Sequence, residues 1–182
     1  GNMTGSIDAT DVEGQVEMLL KVVPEAKTVG IFYNSSEVNS EVQAKQAKEA
    51  LEAAGKTVVI KTVTSTNDVQ QVMTYLAGQV DAIYLPTDNT VASTAATIGE
   101  ILMDKKVPAI GSDEAYLEAV LFTYGVDYHA IGVQAGELAV EVLQGKDPAD
   151  LSVKKPDTAA IAVNEEMAEA LGIDSASIEE LN

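Results

Sequence analysis

Several residue types are scarce or missing in this chain of 182 residues. There is no cysteine, which removes disulfides, thiol nucleophiles and thiolate metal sites together. There is also no arginine, because all 11 cationic residues are lysines, so no bidentate guanidinium clamp is available for a carboxylate or a phosphate. An anionic ligand must therefore be held by lysine, by hydroxyl groups or by backbone N–H groups.

Positive charge and long apolar runs are scarce as well. The net charge of -18 argues against a nucleic-acid partner, because a phosphate backbone would be repelled. No apolar run reaches the roughly 18 residues that a membrane span needs. The chain begins Gly-Asn-Met-Thr-Gly, without an initiator methionine or a signal-peptide core, which we interpret as a processed product or an excised piece.

What the chain does contain is a regular alternation of strand and helix patterns. Hydrophobic residues make up 46% of it, as in a folded globular protein of one domain or slightly more. Short apolar runs followed by helical spacing predict a doubly wound parallel sheet in three α/β/α layers. The predicted strands are residues 28–33, 57–62, 82–85, 107–110, 120–124 and 159–163.

Helix patterns fill most of the intervals between these strands. An opening helix at 11–23 has Thr10 and Glu13 placed as a capping box, and Asn67 with Gln70 has the same spacing further on. One apolar pattern runs from Val91 to Leu102. A strongly amphipathic helix is predicted at 128–143, followed by an irregular connection, and a short helix at 164–171 precedes an acidic tail.

Polar residues follow the first, third, fourth and fifth predicted strands, where an open parallel sheet binds its ligands. Their convergence favours a pocket for a small polar molecule. The alternative is that Asn34, Asp88 and Asp127 only cap helices, since Asn and Asp are preferred cap residues. The candidates are Asn34, Ser35, Ser36, Asn39, Ser40, Thr87, Asp88, Asn89, Ser112, Asp127 and Tyr128.

Signals for catalysis are weak. The single histidine, His129, is interpreted as a surface residue, and no nucleophile elbow, phosphate loop or dinucleotide fingerprint occurs. Oxygen ligands for Mg²⁺ are available at Asp88, Asp113, Glu114 and Asp127, but any acidic protein with capped helices offers the same. We therefore expect no catalytic residues, no metal and no cofactor. A doubly wound enzyme or an effector-sensing domain stays the alternative to a binding protein.

Longer runs carry a resemblance to a known family over nearly the whole chain. The runs are Val29-Gly-Ile-Phe-Tyr-Asn-Ser-Ser-Glu-Val-Asn-Ser40, Ser65-Thr-Asn-Asp-Val-Gln70, Asp81-Ala-Ile-Tyr-Leu-Pro-Thr-Asp-Asn-Thr-Val91 and Thr123-Tyr-Gly-Val-Asp-Tyr128, followed by Ile131-Gly132 and Ala135-Gly136. In these runs the chain resembles the ABC transporter substrate-binding proteins of the tryptophan/tyrosine-binding type.

The resemblance implies a type I periplasmic-binding fold whose two lobes close on a ligand. Residues 6–125 would form the second, flavodoxin-like lobe and residues 148–182 its return segment. The chain would cross between lobes near residues 5–8, near 124–127 and between 145 and 158. The helix within 126–147 would belong to a first lobe that this chain lacks, leaving half of the cleft. We expect that helix either to fold back on the sheet or to be buried in a homodimer through 128–143, because its apolar stripe is costly to expose.

The resemblance also implies a role and a set of partners. The protein would be the extracytoplasmic component of an ABC importer, periplasmic or anchored as a cell-surface lipoprotein. It would bind an aromatic amino acid and deliver it to the membrane permease without catalysing a reaction.

Roles for the candidate residues follow from the two charges of an amino acid. Asn34, Ser35, Ser36 and Ser40 would hold the ligand carboxylate with the N-terminus of a helix. Asp88, or else Asp127, would pair with the ammonium group, oriented by Thr87 and Asn89. Tyr128 or Tyr33 would stack on an aromatic ring, whereas Tyr84 is expected in the core.

Overall fold

A six-stranded sheet organises this protein, with strand order β2-β1-β3-β4-β5-β6. The structure is a computed structural model that describes residues 2–112, 114–155 and 159–181. The neighbouring pairs β2/β1, β1/β3, β3/β4 and β4/β5 are all parallel. The strands are β1 (Thr28–Asn34), β2 (Thr57–Val63), β3 (Ala82–Leu85), β4 (Ala109–Gly111), β5 (Phe122–Val126) and β6 (Ala159–Val163).

Eight α-helices accompany the described strands. Helix α1 packs beside α2, whereas α3 packs beside α5 and α5 beside α7, which confirms the predicted three-layer α/β fold. The helices are α1 (Val12–Val22), α2 (Val38–Ala53), α3 (Val69–Ala77), α4 (Asn89–Ser93), α5 (Ala95–Lys105), α6 (Tyr128–Leu143), α7 (Glu165–Leu171) and α8 (Ser175–Glu179). Short 3-10 turns lie at Thr66–Asp68, Glu114–Tyr116 and Pro148–Asp150.

Two strands begin later than predicted. Strand β4 begins at Ala109 and not at 107, because the N–H of Val107 closes the end of α5 on the carbonyl of Leu102 and Pro108 has no N–H. Strand β5 begins at Phe122 and not at 120, because the chain first turns where the N–H of Ala119 donates to the carbonyl of Tyr116.

The predicted capping boxes were wrong. The side chain of Asp11, not Thr10, caps α1 by accepting a hydrogen bond from the N–H of Gly14 at 3.1 Å. The turn Thr66–Asp68 precedes α3, so Asn67 lies inside that turn and α3 begins at Val69 without a side-chain cap.

The apolar pattern between Val91 and Leu102 forms two helices and not one. The hydroxyl of Thr94 donates to the carbonyl of Thr90 at 2.9 Å, and the Thr94 backbone leaves the helical region. A hydroxyl that bonds the preceding turn competes with the helix ladder, so α4 ends there and α5 begins at Ala95. Helix α8 lies in the segment that was predicted to be only an acidic tail.

The described chain divides into two compact units, one with Gly1–Thr10 and Val126–Ala160 and the other with Asp11–Gly125 and Ile161–Asn182. In the smaller unit, the N–H of Lys154 donates to the carbonyl of Gly5 at 2.8 Å, and Ser6 Oγ donates to Gln134 Oε1 at 2.9 Å. Leu138 is the buried residue of α6, while Leu143 is 86% exposed. Burial of α6 by folding back or by a second copy stays a prediction. No described helix has the length and apolar character needed to cross a membrane.

The larger unit contains a buried polar bridge between α1 and the sheet. Gln15 is buried, its Nε2 donates to the carbonyl of Tyr124 at 2.7 Å, and its Oε1 accepts from the Tyr84 hydroxyl at 2.7 Å. Tyr84 is fully buried, as predicted, and burial raises the pKa of its hydroxyl well above the usual value. This phenol therefore stays a neutral donor to Gln15.

Replacement of Tyr84 by Phe should lower the free energy of unfolding by about 1–3 kcal/mol, because Gln15 Oε1 is then buried without a donor. Tyr75→Phe is the matched control, since Tyr75 is largely exposed and should change stability by less than about 0.5 kcal/mol. Urea unfolding followed by circular dichroism measures both. Equal stabilities of the two variants would contradict the role given to the bridge.

Glycine is required where α5 approaches the turn before β5. A Cβ at Gly99 would lie 2.0 Å from the carbonyl oxygen of Glu118. We expect Gly99→Ala to destabilise the larger unit by about 1–3 kcal/mol or more, because backbone must move. Gly78→Ala is the control, since its nearest contact would be an ordinary 3.6 Å. Thermal unfolding of the two variants checks this, and a Gly99→Ala protein as stable as Gly78→Ala would refute it.

Candidate ligand-binding site

The site is built where two neighbouring parallel strands end. Strands β1 and β3 pair in register, with Ile31 opposite Tyr84, so their carboxyl ends lie at the same edge of the sheet. The loop from β1 into α2 and the loop from β3 into α4 therefore lie side by side. Both carry several of the predicted ligand residues, and hydrogen bonds join them.

Asp88 is the central link between these loops. Asp88 is 1% exposed, with its carboxylate Oδ2 accepting from the N–H of Asn34 at 2.7 Å and Oδ1 accepting from the N–H of Val91 at 2.9 Å. The second bond caps α4, as the capping alternative predicted for Asp88. Direct pairing of Asp88 with a ligand ammonium stays a prediction.

The backbone of Thr87 is held by three side chains of α2. Its carbonyl accepts from Asn39 Nδ2 and from Ser40 Oγ, each at 2.8 Å, and its N–H donates to Gln43 Oε1 at 2.7 Å. Ser40 is fully buried, whereas Asn39 is exposed. One face of the first turns of α2 therefore fixes the loop that follows β3.

Asn34 joins the same loops through its side chain. Its Nδ2 donates to Thr90 Oγ1 at 2.7 Å, and its Oδ1 accepts from the N–H of Ser36 at 2.8 Å. Asn34 is buried, while Ser35 and Ser36 beside it are exposed. Asn34 does not cap α2, since its oxygen is used to shape the loop before that helix.

Glu37 belongs to this network and was missed by the sequence reasoning. Its carboxylate accepts from the N–H of Asn89 at 3.0 Å, from Asn89 Nδ2 at 3.0 Å and from the N–H of Thr90 at 3.2 Å. Burial acts to raise the pKa of the Glu37 carboxyl, but the hydrogen bonds from Asn89 and Thr90 outweigh it, so this pKa lies below its usual value. Glu37 is therefore an anion at neutral pH.

The turn after β4 joins the network through Tyr116, a residue that the sequence reasoning also missed. The Tyr116 hydroxyl is buried, lies 2.8 Å from the carbonyl of Asp88 and accepts from the N–H of the same residue. Ser112, at the end of β4, is 3% exposed and its hydroxyl has no hydrogen-bond partner among the described residues. The ends of β1, β3 and β4 thus share one polar region.

The remaining candidates lie elsewhere or outside the described residues. Asp127 and Tyr128 belong to the smaller unit, where Asp127 caps α6 by accepting from the N–H of Ala130 at 3.0 Å, as the capping alternative predicted. Tyr128 is 61% exposed. The candidate Mg²⁺ ligand Asp113 lies outside the described residues. Within 2–112, 114–155 and 159–181, acidic and histidine side chains form no group arranged to hold a metal ion.

Comparison with protein families decides which kind of protein carries these loops. The model of the family described as ABC transporter substrate binding protein matches residues 1–179. This chain is a member of that family. The resemblance seen in the strand-end sequences is therefore confirmed.

Individual relatives show what the chain is similar to. The tyrosine-binding protein of Clostridioides difficile is 33% identical over all 182 residues, which make up 53% of that protein. The ABC domain of Streptococcus pneumoniae, solved in complex with L-Trp, is 37% identical, with a TM-score of 0.80 over 99% of this chain and 63% of that one. A ligand-free, open substrate-binding protein with adhesive properties from Clostridium difficile is 38% identical, with a TM-score of 0.86 over 94% of this chain and 59% of that one. The chain thus spans about half to three fifths of the length of these relatives.

For this family member, removal of the Asp88 carboxylate should first affect stability. Asp88→Ala leaves two N–H groups without their acceptor, one of them the buried N–H of Asn34, and should cost about 2–4 kcal/mol. Asp174→Ala removes an exposed cap from α8 and should cost only about 0.5–1 kcal/mol. Urea denaturation measures both, and costs of similar size would contradict the central position given to Asp88.

Proposed function

We propose that this chain forms one wall of a cleft that binds an aromatic amino acid. The observation that carries the proposal is the network of Asp88, Thr87, Asn34 and Glu37, which rigidly joins two strand ends beneath an exposed polar layer. A fixed layer of polar groups loses little conformational freedom on binding, which favours affinity. The tyrosine-binding relative and the L-Trp complex supply the class of ligand.

The ligand carboxylate is assigned to the loop between β1 and α2. The N-cap residue of α2, Glu37, makes no side-chain cap bond to that helix, so its side chain leaves the first N–H groups of this 16-residue helix available. Together with the exposed hydroxyls of Ser35 and Ser36 and the amide of Asn39, they suit an anion. This arrangement meets the need for donors in a chain without arginine. The buried residues Asn34 and Ser40 stabilise the loop through their hydrogen bonds.

The ligand ammonium is assigned to the loop between β3 and α4. In this loop Asn89 is exposed, Thr87 is half-buried and Asp88 is a buried carboxylate. Ser112, at the neighbouring strand end, would contribute a hydroxyl that has no hydrogen-bond partner in the described part of the chain. The roles that the sequence suggested for Asp127, as a second carboxylate, and for Tyr128, as a stacking ring, stay predictions.

The proposed role is that of the extracytoplasmic binding component of an ABC importer, which hands its ligand to a permease and catalyses no reaction. The relatives compared above are binding proteins, which supports this role. Because they are longer than this chain, we propose that the rest of such a protein supplies the opposite wall and closes over the ligand.

Calorimetric titration tests the proposal with a protein that contains this chain and a second lobe. We expect L-tryptophan, L-tyrosine or L-phenylalanine to bind at least about tenfold more tightly than L-alanine, because burial of the ring contributes about 1.5–3 kcal/mol. The present chain alone should bind the same ligand more weakly, since it offers half of the contacts. L-Arabinose is a control that should give no heat of binding. If none of the three aromatic amino acids bound to the two-lobed protein, the proposal would be wrong.

A further inference from the structure

The Glu37 carboxylate is arranged around one residue, Asn89. The backbone N–H of Asn89 lies 3.0 Å from both carboxylate oxygens, and the side-chain Nδ2 lies 3.0 Å from Oε2. The N–H of Thr90 adds a contact to Oε1 at 3.2 Å. The carboxylate therefore accepts hydrogen bonds from both the backbone N–H and the side-chain amide of Asn89.

These hydrogen bonds determine which end of the Asn89 side-chain amide faces outward. An ionised carboxylate only accepts hydrogen bonds, so it attracts the NH₂ end of Asn89 and repels the carbonyl end. With Nδ2 held by Glu37, Asn89 Oδ1 is left without a donor among the described residues, and Asn89 is exposed. An otherwise ambiguous amide is thereby turned into a hydrogen-bond acceptor at the surface of the loop.

We propose that Glu37 is a positioning residue that presents Asn89 Oδ1 as the acceptor for the ammonium group of the ligand. This inference rests on the proposed function, since it names the part of the ligand that the site recognises. Glu37 acts through Asn89 and does not itself contact the ligand. The ligand group selected is a primary ammonium, because it can donate a hydrogen bond to an amide carbonyl but not to an amide NH₂ group.

A purely structural role for Glu37 makes a different prediction. As a second cap of α4 it would support every ligand equally, because it would only keep the loop folded. Asp88 already caps that helix through the N–H of Val91, so α4 keeps one cap when Glu37 is changed. The two roles are therefore separated by a ligand that lacks the ammonium group.

The test compares L-tryptophan with indole-3-propionate, its analogue without the ammonium, by calorimetry on a protein that contains this chain and a second lobe. In Glu37→Ala we expect L-tryptophan to bind about tenfold or more weakly and indole-3-propionate to change by less than about twofold. Glu37→Gln, which keeps one acceptor oxygen, should lie between wild type and Glu37→Ala. Glu41→Gln is the matched control, since it removes an exposed negative charge from the first turn of α2, directly after Glu37, and should change neither affinity.

A loss of the same factor for both ligands, or no loss for either, would overturn the positioning role. Amide hydrogen exchange of the ligand-free protein gives a readout that does not depend on the ligand. In Glu37→Ala the N–H groups of Asn89 and Thr90 should exchange about tenfold faster than in wild type, whereas that of Val91 should change little. If the wild-type protein bound no aromatic amino acid, the proposed function would fail by itself. Unchanged exchange at Asn89 and Thr90 would overturn the inference in either case.

Discussion

The geometry of the candidate site depends on the carboxylate of Asp88. It is buried, and it satisfies one N–H at the end of β1 and one at the start of α4. A buried carboxylate is stable only where such donors are fixed, so the two loops must keep their positions for the charge to be tolerated. The hydroxyl of Tyr116 holds the backbone of the same residue from the direction of β4. The ends of β1 and β3 and the turn after β4 are thereby joined at one residue, Asp88.

The polar residues of the candidate site fall into two groups. Asn34, Ser40 and Asp88 are buried and use their hydrogen bonds within the protein, whereas Ser35, Ser36, Asn39 and Asn89 are exposed above them. The buried group keeps the exposed group in place, which is how a binding site made from loops can stay rigid. The same division reconciles the two interpretations of Asp88, since a helix cap and a member of a ligand site are compatible roles.

Much of the sheet could be predicted because its strands are short apolar runs with local signals. Strand β3 was predicted to the residue, and Tyr84 was placed correctly in the core. Local signals failed where a hydroxyl or a turn competed with a helix, as at Thr94.

Part of the site could not be predicted because its partners are distant in sequence. Glu37 contacts Asn89 across 52 residues, and Tyr116 contacts Asp88 across 28. Neither contact has a spacing that a motif could reveal, and only the side-by-side ends of β1, β3 and β4 bring these residues together. The sequence did predict that polar residues follow these strands at one edge of the sheet. It did not indicate which of their residues are buried and which face outward.

The most direct test of this account is an NMR titration of the ¹⁵N-labelled chain with L-tryptophan, in which amide shifts report where the ligand lies. The account predicts that the largest shift changes fall on the exposed strand-end residues Ser35, Ser36, Asn39 and Asn89, while the amides of β2 and α3 change little. Shift changes that concentrate on the surface formed by Lys61, Gln71 and Tyr75, with none at the strand ends, would contradict it.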